Sequence, residues 1–389
     1  MLFGEKNKSK KIILFDFRSS SVAASIISTN QETSVPKILF VRREHYYFTE
    51  APKADEFINR AHVALKKLIK EIHSFKTTDS DLNHATAEIH VLYGSPWYTP
   101  DFIDIHYQQD KDFVFKRELL AKILKNATKD LESKVDGEII EKNVASILVN
   151  GYETDEPFNK KTKDIKMSFY LSHIAEKTKN DIEEIIKNNF HTMEIQNHSH
   201  ASVLYSFLKQ NIPSSNNYFL LDISGEITEI TVIRNSFFKK HITIPVGSHI
   251  FSRKLSEIYG YDLYNSWSHV NLFLDEKNDP ASKKKIGKVF EHIKDYYLDL
   301  VKTAFQQEKV IDIPTKIFII SDNEVRSLIK NIFESSDGYA GTLKMSRKPD
   351  IVSFNRETFS NLCLYAPGVQ ADNIISIFSN FVKMYVNTD

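Results

Sequence analysis

Glycine is scarce in this chain, 11 residues of 389, under half the roughly 7% of ordinary proteins. Sites that bring backbone against a phosphate depend on glycine, because a Cβ blocks the approach, so a nucleotide site here rests on few positions. Cysteine is scarcer still. The single Cys363 excludes an internal disulfide and a cysteine-only zinc site, and reads as a small core residue. Net charge is absent: 51 Lys and Arg balance 51 Asp and Glu, so the whole-chain field does not steer the protein towards nucleic acid or an anionic membrane. The one local basic candidate is residues 1–11, where Lys6, Lys8, Lys10 and Lys11 stand against Glu5, and it reads as a solvated tail. Long apolar runs are missing too. None exceeds five residues, which leaves no signal-peptide core and no transmembrane span, and the expectation is a cytosolic chain that inserts no helix of its own into a membrane.

What is present suits a folded protein. Hydrophobic residues make up 41% and charged residues 26%, and 27 Phe with 17 Tyr supply core area worth roughly 25 cal/mol per Å² buried. The length predicts two or three domains. Residues 11–17, 22–27 and 36–41 read as three consecutive strands, the first ending at Asp16 with Arg18-Ser19-Ser20-Ser21 behind it. Residues 53–75 follow as a helix, with Phe57, Ala61, Ala64, Leu65, Leu68 and Ile72 on one stripe. The polar residues 77–83 mark a boundary. Beyond it come strands at 88–93, 102–107, 144–150 and 165–174, with a helix at 116–131, and then helices at 179–189 and 198–208. The loop Gly94-Ser95-Pro96-Trp97-Tyr98-Thr99-Pro100 has two readings: an exposed edge for peptide binding or self-association, or a closure of the local core.

The second half repeats the opening. Strands are predicted at 218–222, 227–234 and 237–245, with Asp222 ending the first and Ser224, Gly225 and Thr228 behind it. Helices at 248–259 and 281–306, a strand at 316–320, and helices at 324–333 and 373–386 complete the chain. An internal duplication at long period outweighs any single motif. The expected organisation is a first domain over 1–84 and 176–213, an insertion over 85–175, and a second domain over 214–389 with a helical insertion at about 250–310.

Two strand-meander domains, each with an aspartate and hydroxyls at its first turn, resemble the actin-like ATPase superfamily, and most closely its bacterial FtsA and PilM branch. The branch's first phosphate loop, Asp-Ile-Gly-Ser-Ser-Ser-Val-Lys, is matched in frame by Asp16-Phe17-Arg18-Ser19-Ser20-Ser21-Val22-Ala23. The second, Asp-Ile-Gly-x-x-x-Thr, is matched by Asp222-Ile223-Ser224-Gly225-Glu226-Ile227-Thr228, and Ile244-Pro245-Val246-Gly247-Ser248 is similar to the Ile-Pro-x-Gly-Gly that follows. The resemblance implies an α/β fold of duplicated actin-like (ribonuclease H-like) domains with a small inserted SHS2-like α/β subdomain. It also implies ATP and magnesium between the domains. Asp16 and Asp222 would be the magnesium-side carboxylates, Ser19, Ser20, Ser21 and Thr228 the phosphate hydroxyls, and Arg18, Ser224, Gly225 and Gly247 the rest of the cradle. Taken one at a time, Asp and Ser at strand ends also cap ordinary turns.

Departures from the branch fall on ligand-facing positions. Arg18 and Ser224 replace loop glycines, Ala23 replaces a lysine, Ser248 replaces the glycine after Gly247, and Ser321-Asp322-Asn323 stands where the base-side loop carries Gly-Gly. Each lost charged hydrogen bond is worth roughly 1.5–3 kcal/mol, so weak or absent ATP and magnesium binding is expected, although the Arg18 guanidinium has the reach to meet a phosphate itself. Hydrolysis is not expected. Residues 198–203, His198-Ser199-His200-Ala201-Ser202-Val203, hold no carboxylate or amide to orient water, Gln196 and Asn197 being the nearest substitutes. His198 and His200 read as surface residues at a helix start, and a metal site with His191 is disfavoured.

Three function classes follow from the resemblance. One is a PilM-like cytosolic scaffold that docks the cytoplasmic tail of a membrane pilus-assembly protein. Another is an FtsA-like division adaptor that forms a homo-oligomer or filament and recruits a tubulin-like ring. The third is a working ATPase or sugar-kinase-like enzyme. Residues 373–386 carry nine apolar residues but only one cation, Lys383, and so read as a core helix against the second domain's sheet, not an interfacial helix. That favours the scaffold, held at the inner membrane face through its partner.

Overall fold

The structure is a computed structural model that describes residues 10–30, 35–49, 52–75, 88–132, 135, 137–190, 194–212, 215–274, 277, 279–310, 313–321, 325–334, 349–354 and 361–386. The boundary residues 77–83, His191, Asp322 and Asn323 lie outside them. Three sheets organise the chain. In the first, β1 (Lys10–Phe17), β2 (Ser21–Thr29) and β3 (Lys37–His45) form an antiparallel meander, and β4 (Glu88–Tyr93) and β9 (Ile195–Ser199) add in parallel beside β1. In the second sheet β10 (Tyr218–Ile223), β11 (Thr228–Arg234) and β12 (Phe237–Ile244) repeat that meander, and β13 (Lys316–Ser321) and β14 (Asp350–Ser353) repeat the parallel pair. The third sheet runs in the order β5 (Thr99–Val114), β8 (Lys161–Ile174), β6 (Glu138–Val149), β7 (Tyr152–Glu153), with α2 (Arg117–Glu132) packed on it.

Side-chain alternation explains how the second sheet is used. Phe219, Leu221 and Ile223 enter one core, shared with α5 (His249–Tyr259), α7 (Pro280–Gln307) and α8 (Arg326–Glu334), whereas Tyr218 and Leu220 enter the other, shared with the first domain. Asp222 continues the Tyr218 and Leu220 face, so the period of two aims it at the first domain. Helix α7 starts where Asp279 Oδ1 accepts from Ala281 N and Ser282 N, both at 3.0 Å, with Pro280 in the first turn. On the first sheet α1 (Ala54–Ser74) lays down Phe57, Ala61, Leu65, Leu68 and Ile72, and α3 (Glu176–Phe190) packs beside it.

The structure departs from the sequence reading at several elements. Residues 88–93, expected within the insertion, pair with β1, so the inserted sheet begins at Thr99. Residues 195–199 form a strand before the helix α4 (His200–Asn211), which was expected to start at 198. An additional helix, α6 (Leu263–Leu274), lies between α5 and α7. Finally α9 (Asn373–Val386) packs on α4 and on β1 to β3, not chiefly on the second sheet, and β15 (Leu364–Tyr365) pairs with β3. The last segment therefore closes the first domain. Its Ile374, Ile375, Ile377, Phe378 and Val382 are buried.

Candidate functional site

The two first turns of the duplicated meanders face each other. Ile12 to Phe17 pair in parallel with Glu88 to Tyr93, and Phe219 to Ile223 pair in parallel with Ile317 to Ser321, so Asp16 and Asp222 sit at equivalent strand ends. Both are buried. Between them stands His200, the first residue of α4. Its Nε2 donates to Asp16 Oδ1 at 2.9 Å and its Nδ1 to Asp222 Oδ2 at 2.7 Å. Burial alone would lower the imidazole pKa, but the charges of Asp222 and Asp16 outweigh it and raise the group to about 9. At neutral pH it is an imidazolium that donates from both nitrogens.

The remaining oxygens are taken by arginines. Arg18 Nη2 donates to Asp222 Oδ1 at 2.5 Å, and Arg43 Nη2 donates to Asp16 Oδ2 at 2.8 Å. Arg43 reaches on through Nε to Asp372 Oδ2 at 2.8 Å, ahead of α9, and through Nη1 to Ser21 Oγ at 3.0 Å. Burial pushes the Asp16 carboxyl up, but Arg43 and His200 reverse this and hold it well below the ordinary carboxylate range. The result is one alternating chain of charges, Asp372, Arg43, Asp16, His200, Asp222 and Arg18, three negative and three positive.

Around this chain the loops touch directly. Ser19 and Ser224 hydrogen-bond through their hydroxyls, and Glu226 N donates to Ser19 Oγ at 2.9 Å. A Cβ on Gly225 would lie 2.0 Å from Ser20 Oγ, so this glycine is what lets the second loop close on the first. Gly247 brings its own backbone against the carbonyls of Ser224 and Gly225. Ser248 N and His249 N donate to those carbonyls, each at 2.8 Å. Glu226 in turn accepts from His249 Nδ1 at 2.9 Å and from Arg253 Nη1 at 2.6 Å.

The structure thus brings together Asp16, Arg18, Ser19, Ser20, Asp222, Ser224 and Gly225, with Ser21 and Gly247 at the margin. Thr228 is not among them. It shares the Ile230 and Val232 face of β11, and its hydroxyl donates to Val246 O at 2.7 Å and meets Tyr297 Oη at 2.9 Å inside the second core. The neighbouring Glu229 takes the opposite face and enters the interdomain contact. It accepts from Ser95 N at 3.1 Å, Ser95 Oγ at 2.9 Å, Tyr98 Oη at 2.7 Å and His241 Nε2 at 3.0 Å. Burial opposes its ionisation, but hydrogen bonding to His241 and the nearby positive charges bring it down to about 2.

The loop 94–100 is therefore a clamp and not a free edge. Trp97 and Tyr98 are buried, the Trp97 ring lies 4.9 Å from Phe57 and 5.7 Å from Phe17, and its Nε1 donates to Arg18 O at 2.9 Å. His198 and His200, read from the sequence as surface residues, are both buried as well. His198 faces His90 Nδ1 at 2.9 Å and the rings of Phe378, Phe381 and Tyr385, and burial with His90 beside it pulls its pKa down to about 3. Gln196 and Asn197 do not substitute as water-orienting groups. They donate to Glu194 at 2.7 Å and Glu183 at 2.9 Å, away from Asp16 and Asp222. Sequence reasoning missed Arg43, Glu229 and Asp372. The strand alternation Thr228, Glu229, Ile230 was a signal for the second of these, whereas nothing local marks the other two.

The residues present do not fit a magnesium nucleotide. Magnesium keeps several waters and needs open carboxylates, yet both aspartates are enclosed and already hold cations. His200, Asp222 and Glu229 bring one ligating atom each within 4.8 Å of the others, but His200 and Arg18 already supply the positive charge that a metal would bring. Phosphate would need loop hydroxyls and N–H groups, and here the hydroxyls of Ser19 and Ser224 and the N–H groups of Arg18, Ser224 and Glu226 bond across to the facing loop or within their own turns.

No protein-family model and no curated protein matches the sequence. Among solved structures the chain is similar to one titled as a PilM–PilN type IV pilus biogenesis complex, with 10% identity, 98% of each chain covered and a TM-score of 0.62. Lower similarity reaches the ethanolamine utilization protein EutJ from Carboxydothermus hydrogenoformans, with 10% identity, 88% of this chain and 84% of that chain covered, and a TM-score of 0.43. A Bacteroides thetaiotaomicron protein with an actin-like ATPase fold and unknown function gives 10% identity, 98% and 99% coverage and a TM-score of 0.37. At such identities the likeness concerns the fold: this is a mixed α/β chain with the actin-like fold over nearly its whole length.

Proposed function

We propose that the chain is a PilM-like scaffold that docks the N-terminal cytoplasmic tail of a membrane protein of pilus assembly, and that it sits at the inner face of the membrane through that partner. The observation that carries this reading is the architecture shared over 98% of both chains with a protein solved in a pilus biogenesis complex. Its physical support is a molecule whose interdomain contact is filled by its own side chains, a construction suited to binding more than to turnover. On this reading ATP and magnesium binding is weak or absent, and hydrolysis does not occur.

A surface for an extended peptide lies beside the clamp loop. A groove of about 530 Å³ runs between Phe57 and Ile58 of α1, Pro96 and Trp97 of the loop, Thr178 of α3, and Glu226 and Arg253 of the second domain. Aromatic and aliphatic walls with one ion pair at the rim suit an apolar segment that carries a charged end. Among the described residues no helix is long and apolar enough to cross a membrane, and α9 is packed in the core with its single cation, Lys383, nearly buried. Liposome flotation tests the reading. Protein is expected to float with vesicles that carry the tethered N-terminal cytoplasmic peptide of the cognate membrane subunit. Thr178→Trp, which fills the groove, should abolish flotation with thermal unfolding unchanged. Flotation on bare anionic vesicles would return an FtsA-like, lipid-binding role to first place.

A further inference from the structure

We infer that the interdomain contact is a self-filled lock, in which Arg18 and His200, with Arg43 neutralising Asp16 from behind, hold the two domains closed without any nucleotide. The fold brings two aspartate-bearing turns together, and two carboxylates facing each other across a buried contact repel unless cations lie between them. In this chain side chains supply cations at that contact. His200 bridges Asp16 of the first domain to Asp222 of the second, at 2.9 and 2.7 Å. Arg18 crosses the same boundary to Asp222 at 2.5 Å, and Arg43 ties the far side of Asp16 to Asp372 at 2.8 Å. Three cations meet these three carboxylates, and Glu229, a fourth carboxylate within 4.8 Å of His200 and Asp222, is held by Ser95, Tyr98 and His241.

Neighbouring contacts extend the lock beyond the charged chain. The Ser19 to Ser224 bond and the Glu226 N to Ser19 Oγ bond join the turns, Gly225 allows them to meet, and Glu229 accepts the clamp loop's Ser95 and Tyr98. Tyr47 of the first domain stacks on His249 of the second at 4.7 Å. A domain closure that a nucleotide would drive in an open cleft is here part of folding, so magnesium ATP has no open state to select. The inference is independent of the docking groove, since peptide binding at Thr178 can succeed or fail whatever the cleft holds.

The experiment combines calorimetry with hydrogen exchange on the full chain. Wild-type protein titrated with magnesium ATP or magnesium ADP to millimolar concentration is expected to give no saturable heat and no change in exchange at residues 16–22 and 222–228. His200→Gln, which keeps polarity but loses the bridging charge, should raise exchange in both turns by at least tenfold while residues 286–301 of α7 stay protected. If His200→Gln does not fold, Arg18→Lys, which retains charge but loses the fork, supplies the same comparison. Saturable magnesium nucleotide binding by the wild type would overturn the inference. So would turns that stay as protected as wild type in the folded variant.

Discussion

Arg18 and Asp222 are 204 positions apart in the chain and meet at 2.5 Å with both side chains enclosed, one from each half of the duplication. The arginine stands where the resembling branch carries a glycine, and its side chain reaches across the domain boundary instead of leaving space. Removing one member of a buried pair strands the other and costs roughly 3–5 kcal/mol, more than the pair's own net worth. Arg18→Met is therefore expected to lose ~3 kcal/mol, read as a lower urea midpoint. Arg18→Met with Asp222→Leu should recover part of that loss. A single variant as stable as wild type would show that the pair is not enclosed in solution.

Stability should fall with alkaline pH. His200 faces Asp16, Asp222, Arg18 and Glu229, and its folded pKa of about 9 lies above the ordinary value of 6.5. The folded state thus holds a proton that the unfolded state releases, so the contribution is complete below pH 6.5 and is lost as pH rises through 9. A shift of this size corresponds to ~3 kcal/mol. Glu141, raised to about 7 by burial, gives a loss of the same sign at lower pH, between its ordinary 4.5 and 7. Denaturation midpoints from pH 7 to 9.5, read as the difference between wild type and His200→Gln, isolate His200, because the loss that Cys363, raised to about 12, adds near pH 9 is common to both; the variant should flatten the profile below pH 9.

Two glycines should respond in opposite directions to alanine. At Gly247 the added Cβ would meet backbone oxygens of Ser224 and Gly225 at 2.2 and 2.5 Å, and neither can turn aside as a side chain would. Gly247→Ala is expected to cost ~2–3 kcal/mol. Gly287, within α7, has nothing within 4 Å of an added Cβ, and Gly287→Ala should stabilise by about 1 kcal/mol through helix propensity alone. Thermal or urea midpoints of the two variants check the contrast.

Cys363 should be silent to thiol reagents until the protein unfolds. It is buried, its Sγ donates to Ser376 O at 3.2 Å, and burial pushes the thiol up to about 12. Reagents attack the thiolate, so the native protein offers neither access nor the reactive form. Labelling with an aromatic disulfide across a urea titration should follow the unfolding curve. Stoichiometric labelling in buffer would place this segment outside the core.

The duplication was legible in the amino-acid sequence because it depends on local pattern. Alternating apolar strands, a helical stripe over Phe57 to Ile72, and an aspartate followed by hydroxyls at two matching strand ends are properties of consecutive residues. The same locality placed Asp16 and Asp222 in equivalent turns. What occupies the space between those turns depends on residues far apart in the chain. His200 looked like a surface histidine at a helix start because the strand Ile195–Ser199, which carries it into the cleft, is short and polar and shows no apolar alternation. Arg43 and Asp372 are 329 positions apart and become partners only because α9 returns to the first sheet. Thr228, expected at the interdomain contact, faces the second core, and the unanticipated Glu229 faces that contact, a one-residue question of strand parity that the packing of β11 between two cores decides. Periodicity marked most strands and helices of this chain and their repetition, and the resemblance of the two aspartate turns implied the fold. Only the tertiary structure decided that its cleft is closed, because charges cancel according to distance in space and not along the sequence.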